Sequence, residues 1–258
     1  MSADYILHLA DNALILGQRN AEWCGHGPVL EEDIAMANIG LDCVGQARML
    51  YQHAATLVGG EATEDSLAYF RNPNEFRNYT LLELPHQTAF APSANVPRDY
   101  SITITRNFLY STLMSLVWPA LQTSKDEQLA AIAAKSAKEV RYHLRHSTDW
   151  MLRLGDGTAL SHQKMQDALD YLMPYTQEFF TTAAFENEAV QCGMAVNVAT
   201  LKDEWQRRVA TVVTQATLQM SPSTGHLTRG KEGLHSEHLS YLLAEMQSLA
   251  REHPGAVW

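Results

Sequence analysis

The chain has 258 residues, a formal net charge of −10 and a hydrophobic content of 46%. That length and apolar content are enough to fill one large packed core and are unlike a disordered chain. The acidic balance and the absence of a Lys/Arg cluster exclude a nucleic-acid partner and argue against an anionic membrane surface, since both need grouped cations.

The chain opens with Asp4 and Asp11 among apolar residues and has no basic leader, so no signal peptide is expected. No apolar run reaches the roughly 18 residues that a membrane span needs. Ile6, Leu9, Ala13 and Leu16 recur at helical spacing until Gly25–Pro28 breaks the pattern. Ile34, Ala37, Leu41 and Val44 carry a second helix of roughly 30 residues to Gly59–Gly60. A short helix is expected around Thr63–Phe70. Between 71 and 98 stand Pro73, Pro85, Pro92 and Pro97, four of the nine prolines, which predicts a long irregular crossover.

Helix resumes over Tyr100–Gln122. Ser124 and Glu127 have capping-box spacing, and the next helix is expected from Lys125 to about Leu154, ending at Gly155–Gly157. Further helices are expected at about 160–190, 199–220 and 235–252, with an irregular stretch marked by Ser221–Pro222, Gly225, Gly230 and Gly233. Leu239, Leu242, Met246 and Leu249 give the last helix a narrow apolar stripe. Two long hairpins joined by a crossover make a four-helix bundle of the ferritin type, so the expectation is a single all-α domain over 1–258, with a ferritin-like core and additional C-terminal helices. Cys24, Cys43 and Cys192 are odd in number and lack Cys-x-x-Cys spacing, so free thiols in a reducing cytoplasm are expected.

Pairing by distance from each turn places Asn12 level with Asp42, and Asn107 level with Glu139. A di-iron bundle needs Glu-x-x-His on two helices and a carboxylate from each of two others. Here Asp42 is followed by Gly45 and Glu139 by Tyr142, while Asn12 and Asn107 hold the other two places. Asn12, Asp42, Gly45, Asn107, Glu139 and Tyr142 therefore read as degenerate ligand positions, and no metal, catalytic or cofactor-binding residue is assigned. Glu139 and His143 are expected to form a residual polar pair. Glu83-x-x-His86 and Glu232-x-x-His235 fit the motif in letters but sit beside proline and glycine, so both are read as accidental. His235 and His238 are expected at a surface or interface. Cys24-Gly-His26 is not taken as a nucleophile pair, and no nucleophile elbow, phosphate loop or zinc motif occurs.

Several runs carry a resemblance. Glu22-Trp-Cys-Gly-His26, Asn38-Ile-Gly-Leu-Asp42 through Gly45-Gln-Ala-Arg48, Lys138-Glu-Val-Arg-Tyr-His-Leu-Arg145, Gly233-Leu-His-Ser-Glu-His238 and Ala244-Glu-Met-Gln247 resemble the C-subunit (PaaC) family of the phenylacetate-CoA oxygenase, or ring-1,2-phenylacetyl-CoA epoxidase. The resemblance implies a ferritin-like structural subunit without its own metal or cofactor. It implies a homologous catalytic A subunit holding the di-iron site, other oxygenase subunits, and a reductase with flavin and an iron–sulfur cluster fed by NADPH. The complex would epoxidise the ring of phenylacetyl-CoA in phenylacetate degradation. The alternative from the residues is an independent ferritin-like di-iron oxidase with unconventional ligands, and self-association stays open. Trp23 is the interface candidate, with capping of the core as its other role.

Overall fold

A computed structural model describes residues 3–87, 97–220, 222 and 227–256. Pro92 of the crossover and Ser221 and Gly225 of the later irregular stretch lie outside them. The fold is all-α: among the described residues there is no strand, and Arg229 and Leu234 form an isolated antiparallel bridge.

Four long helices set the frame: α1 (Asp4–Ala21), α2 (Leu30–Val58), α5 (Tyr100–Leu121) and α6 (Glu127–Gly155). They form two antiparallel pairs, α1 with α2 and α5 with α6, and α2 packs on α6. Helix α5 is buried on every side, without a break from Ser101 to Met114, which makes it the central helix. Helix α6 is amphipathic and buries Leu129, Ile132, Val140 and Met151. Gly17 and Gly40 let α1 and α2 approach closely: a methyl group on Gly17 would lie 3.1 Å from Cys43 Cβ and 3.3 Å from the Gly40 carbonyl oxygen.

The short helix α3 (Glu64–Tyr69) follows its Thr63 cap, as expected. The described parts of the crossover hold a 3-10 turn at Pro73–Glu75 and one turn of helix, α4 (Thr80–Glu83). The remaining helices are α7 (Ala159–Leu172), α8 (Gln177–Phe180), α9 (Ala184–Gln191), α10 (Lys202–Gln215) and α11 (Glu237–Glu252), and they pack around the frame.

Several expectations are corrected. The cap of α6 is Asp126, which accepts from the Leu129 amide at 3.0 Å, so Ser124 and Glu127 form no capping box. Ser124 instead accepts from the Asp126 amide and donates to the Met194 carbonyl at 2.7 Å. The helix expected at 160–190 is three pieces, because Pro174 supplies no amide donor and turns the chain into a 3-10 segment at Met173–Thr176. On α11, Leu239 and Leu242 are buried, but Leu249 is 54% exposed, in an open groove between α11 and α3. On α2, the stripe of Ile34, Leu41 and Val44 does not face the core: these side chains are 54%, 69% and 43% exposed. Met36, Ile39, Cys43, Ala47 and Leu50 fill the core from the other side of the helix.

Candidate functional site

The expected levels within the hairpins are displaced. Tyr51 donates to Asp11 at 2.5 Å, so Asn12 lies near the level of Tyr51 and not of Asp42. Thr105 reaches Met151 at 3.7 Å, which places Glu139 almost three turns from Asn107 along α6. The turns are asymmetric, so counting outward from their midpoints gives the wrong register.

The polar centre between the pairs is Asn20 and Asn107. Their amides are reciprocal, with Asn107 Nδ2 donating to Asn20 Oδ1 at 3.1 Å and Asn20 Nδ2 donating to Asn107 Oδ1 at 3.3 Å. Asn107 Nδ2 also lies 3.8 Å from the Met36 sulfur. Met36 and Ile39 stand three residues apart on the inner face of α2, where a Glu-x-x-His pair would be needed. Two neutral amides, a thioether and an aliphatic side chain do not fit a di-iron centre, which takes carboxylate and imidazole donors. Among the described residues no group of three or more His, Cys, Asp or Glu is placed to hold a metal ion. Counting from the turns selects Asn12 and misses Asn20. Asn20 is one of several polar residues on α1, beside His8, Asp11, Asn12 and Arg19, and only the true register picks it out.

The six positions singled out from the sequence therefore scatter. Only Asn107 lies at the centre. Asn12 accepts from the Tyr79 amide at 2.8 Å and bonds to His8 Nε2 at 3.2 Å, holding the start of α4. Gly45 lies on the outer side of α2, where an added methyl group meets nothing within 4 Å, and Tyr142 is exposed on α6. Asp42 and Glu139 lie on the seam between α2 and α6. Glu139 does not pair with His143: it accepts from Gln46 at 2.9 Å, while His143 Nε2 is 3.0 Å from Asp42. The seam continues with His146 and Tyr100, 2.8 and 2.5 Å from Glu32, and with His53, 2.7 Å from Asp126. Each carboxylate there already has a partner of its own.

The two motif matches that read as accidental meet each other. Glu83 is fully buried, and its Oε2 lies 2.7 Å from His235 Nδ1 and accepts from Asn78 at 2.9 Å. Its Oε1 accepts from the Ser236 amide at 2.6 Å, and His235 Nε2 donates to the Phe76 carbonyl at 3.0 Å. Burial alone would lower the His235 pKa, but the adjacent Glu83 and the Phe76 carbonyl raise it. An acceptor at each nitrogen favours the imidazolium form. His235 is therefore a tie between the crossover and α11, not a surface residue, and His238 is buried too.

Trp23 is buried at 4% exposure. Its ring nitrogen donates to Thr103 at 2.9 Å, and its ring meets Tyr100 and His86 edge to face. Within the chain, Trp23 takes the core-capping role. His86 bonds to Thr103, to the Arg19 carbonyl and to Arg106, and burial, aided by the Arg106 charge, pushes its pKa down to about 4. Burial opposes the charge of Glu22, yet His86 and Arg19 together hold its carboxyl down to about 2. Arg106 is fully buried, and that burial lowers its pKa to about 9. None of these clusters places a nucleophile, a base and an open reaction space together.

The profile of a family described as phenylacetic acid catabolic protein matches residues 1–258. The chain is 43% identical over 254 residues, 98% of each chain, to the C subunit of the 1,2-phenylacetyl-CoA epoxidase of Escherichia coli (strain K12).

Proposed function

The chain belongs to the phenylacetic acid catabolic protein family, and from that premise we propose that it is a non-catalytic, structural subunit of a 1,2-phenylacetyl-CoA epoxidase. In this reading it supports a homologous A subunit that carries the di-iron site, while a reductase with flavin and an iron–sulfur cluster supplies electrons from NADPH. This chain binds no cofactor of its own and works in the cytoplasm.

The observation that carries the reading is the composition of the bundle centre. Asn20, Asn107, Met36 and Ile39 stand where a di-iron protein needs carboxylates and imidazoles. The relative covers the chain from end to end, so the assignment does not rest on a shared fragment. What remains for such a chain is mechanical work. Its ion pairs and buried amides make a stiff helical body, and a stiff body can fix the orientation of helices in a partner.

Iron analysis of the purified chain tests the non-catalytic part. The expected content is far below one iron per chain. In the assembled complex, the double variant Asp42→Asn with Glu139→Gln is expected to keep turnover within about twofold, since neither carboxylate touches a reacting group. Two irons per chain, or a thousandfold loss of turnover in the variant, would establish the alternative of an independent di-iron oxidase.

A further inference from the structure

Tyr5 stands in the first turn of α1 and is 2% exposed, yet its hydroxyl has no hydrogen-bond partner among the described residues. The Val196 amide beside it is a donor and takes no proton from a hydroxyl. A buried hydroxyl left unpaired costs more than the entropy of fixing one water molecule against it. Tyr5 also lines an internal cavity of about 10 Å³, which is room for about one water molecule. Every residue around that cavity is buried, so the space is shut off from solvent.

The polar side chains on the cavity wall besides Tyr5 are His8, Asn12 and Glu186. Two of them already have their acceptors taken. His8 Nδ1 donates to the Arg77 carbonyl at 2.6 Å, which leaves Nε2 as the ring's acceptor, and Asn12 donates to Nε2 at 3.2 Å. Asn12 Oδ1 accepts from the Tyr79 amide at 2.8 Å. Glu186 differs. Its Oε2 accepts from the Ala183 amide at 2.8 Å and from Lys231 Nζ at 2.7 Å, and a carboxylate offers about four acceptor positions. Its charge also acts on Tyr5, whose pKa is raised by burial first and by Glu186 second.

We propose that this cavity is a binding site for a single internal water molecule, which accepts the Tyr5 hydroxyl proton and donates to the Glu186 carboxylate. The water joins α1 to α9 and, through Lys231, to the turn at Gly230–Glu232. Three segments distant in sequence then share one buried network. The wall selects water over other small guests. An apolar guest leaves the hydroxyl unpaired, and an apolar cavity of this kind would stay dry. A cation finds Glu186 already neutralised by Lys231, and an anion is repelled by the carboxylate.

A crystal structure of the full chain tests the site without any substitution. A solvent peak is expected within about 3.2 Å of both Tyr5 Oη and a Glu186 oxygen. In solution, oxygen-17 magnetic relaxation dispersion counts long-lived internal waters. It is expected to count one fewer in Tyr5→Phe than in the unmodified chain, because a buried water needs at least about two polar partners. Chemical denaturation reads the same point through a sign. With the water in place, Tyr5→Phe lowers the folding equilibrium constant by about fivefold or more, whereas in a dry cavity the loss of an unpaired hydroxyl raises it. The proposal is overturned by a cavity without solvent density, by a Tyr5 hydroxyl bonded directly to Glu186, by equal water counts, or by a Tyr5→Phe chain more stable than the original.

Discussion

Glu83 and His235 are separated by 152 positions in sequence and form one buried charged contact. Breaking a buried pair leaves one charge without compensation, so Glu83→Gln is expected to cost about 3 kcal/mol in chemical denaturation. The pH dependence has a definite sign. The folded pKa of His235 is raised, so its contribution is fully present below the unfolded value of about 6.5 and is lost as pH rises through the folded value. The gap between wild type and Glu83→Gln should therefore be larger at pH 6 than at pH 9. His8 behaves in the opposite way. It is buried beside Tyr79 and Phe185, and burial pushes its pKa down to about 4. The unfolded chain binds a proton first, so stability should fall between pH 6.5 and 4 with a slope of about 1.4 kcal/mol per pH unit from this residue. His8→Gln should remove one proton's worth of that slope, and an unchanged slope would contradict the assignment. At this scale the sequence shows the right residues with the wrong partners. Glu83 and His235 each stand out in a motif, but a contact across most of the chain leaves no local pattern.

Helix boundaries are more legible, because glycine and proline act where they stand. Gly59 ends α2 with φ of 74°, and Thr63 caps α3 with the reciprocal Ser66 contact. Register between helices is not legible. The Asn20–Asn107 pair depends on how far one helix slides along its neighbour, and apolar periodicity is insensitive to that. The stripe on α2 shows the same limit. Ile34, Leu41 and Val44 have helical spacing, but spacing fixes only that they share a face, not which way the face points. The glycines make this testable. Gly45→Ala should stabilise the isolated chain by about 0.5–1 kcal/mol, because the site is helical and open. Gly17→Ala should destabilise it, since the new methyl group presses on Cys43, Val44 and the Gly40 carbonyl where α1 and α2 touch. Thermal denaturation of the two variants side by side should show shifts of opposite sign.

For the molecule as a whole, the all-α architecture and its two hairpins follow from long helical stretches separated by a proline-rich crossover. The family is visible in runs such as Glu22–His26 and Lys138–Arg145. The structure explains part of their character: Trp23 closes the core, and His143 ties α6 to α2. The proposed role draws on the bundle centre, where the residues that join Asn107 are Asn20, Met36 and Ile39 and not those that counting from the turns selects. Buried carboxylates and imidazoles are present in number, but they are spent pairwise on joining elements: Asp11 with Arg71, Glu83 with His235, and Glu186 with Lys231 at 2.7 Å. That distribution suits the supporting role proposed for the chain.

The most direct measurement is oxygen- and NADPH-dependent turnover of phenylacetyl-CoA by the reconstituted epoxidase, assembled with and without this chain. A supporting role predicts that omission abolishes or sharply lowers turnover, that adding the iron-free chain back restores it, and that the chain alone is inactive. Equal turnover in its absence, or turnover by this chain and the reductase without the A subunit, would contradict the account.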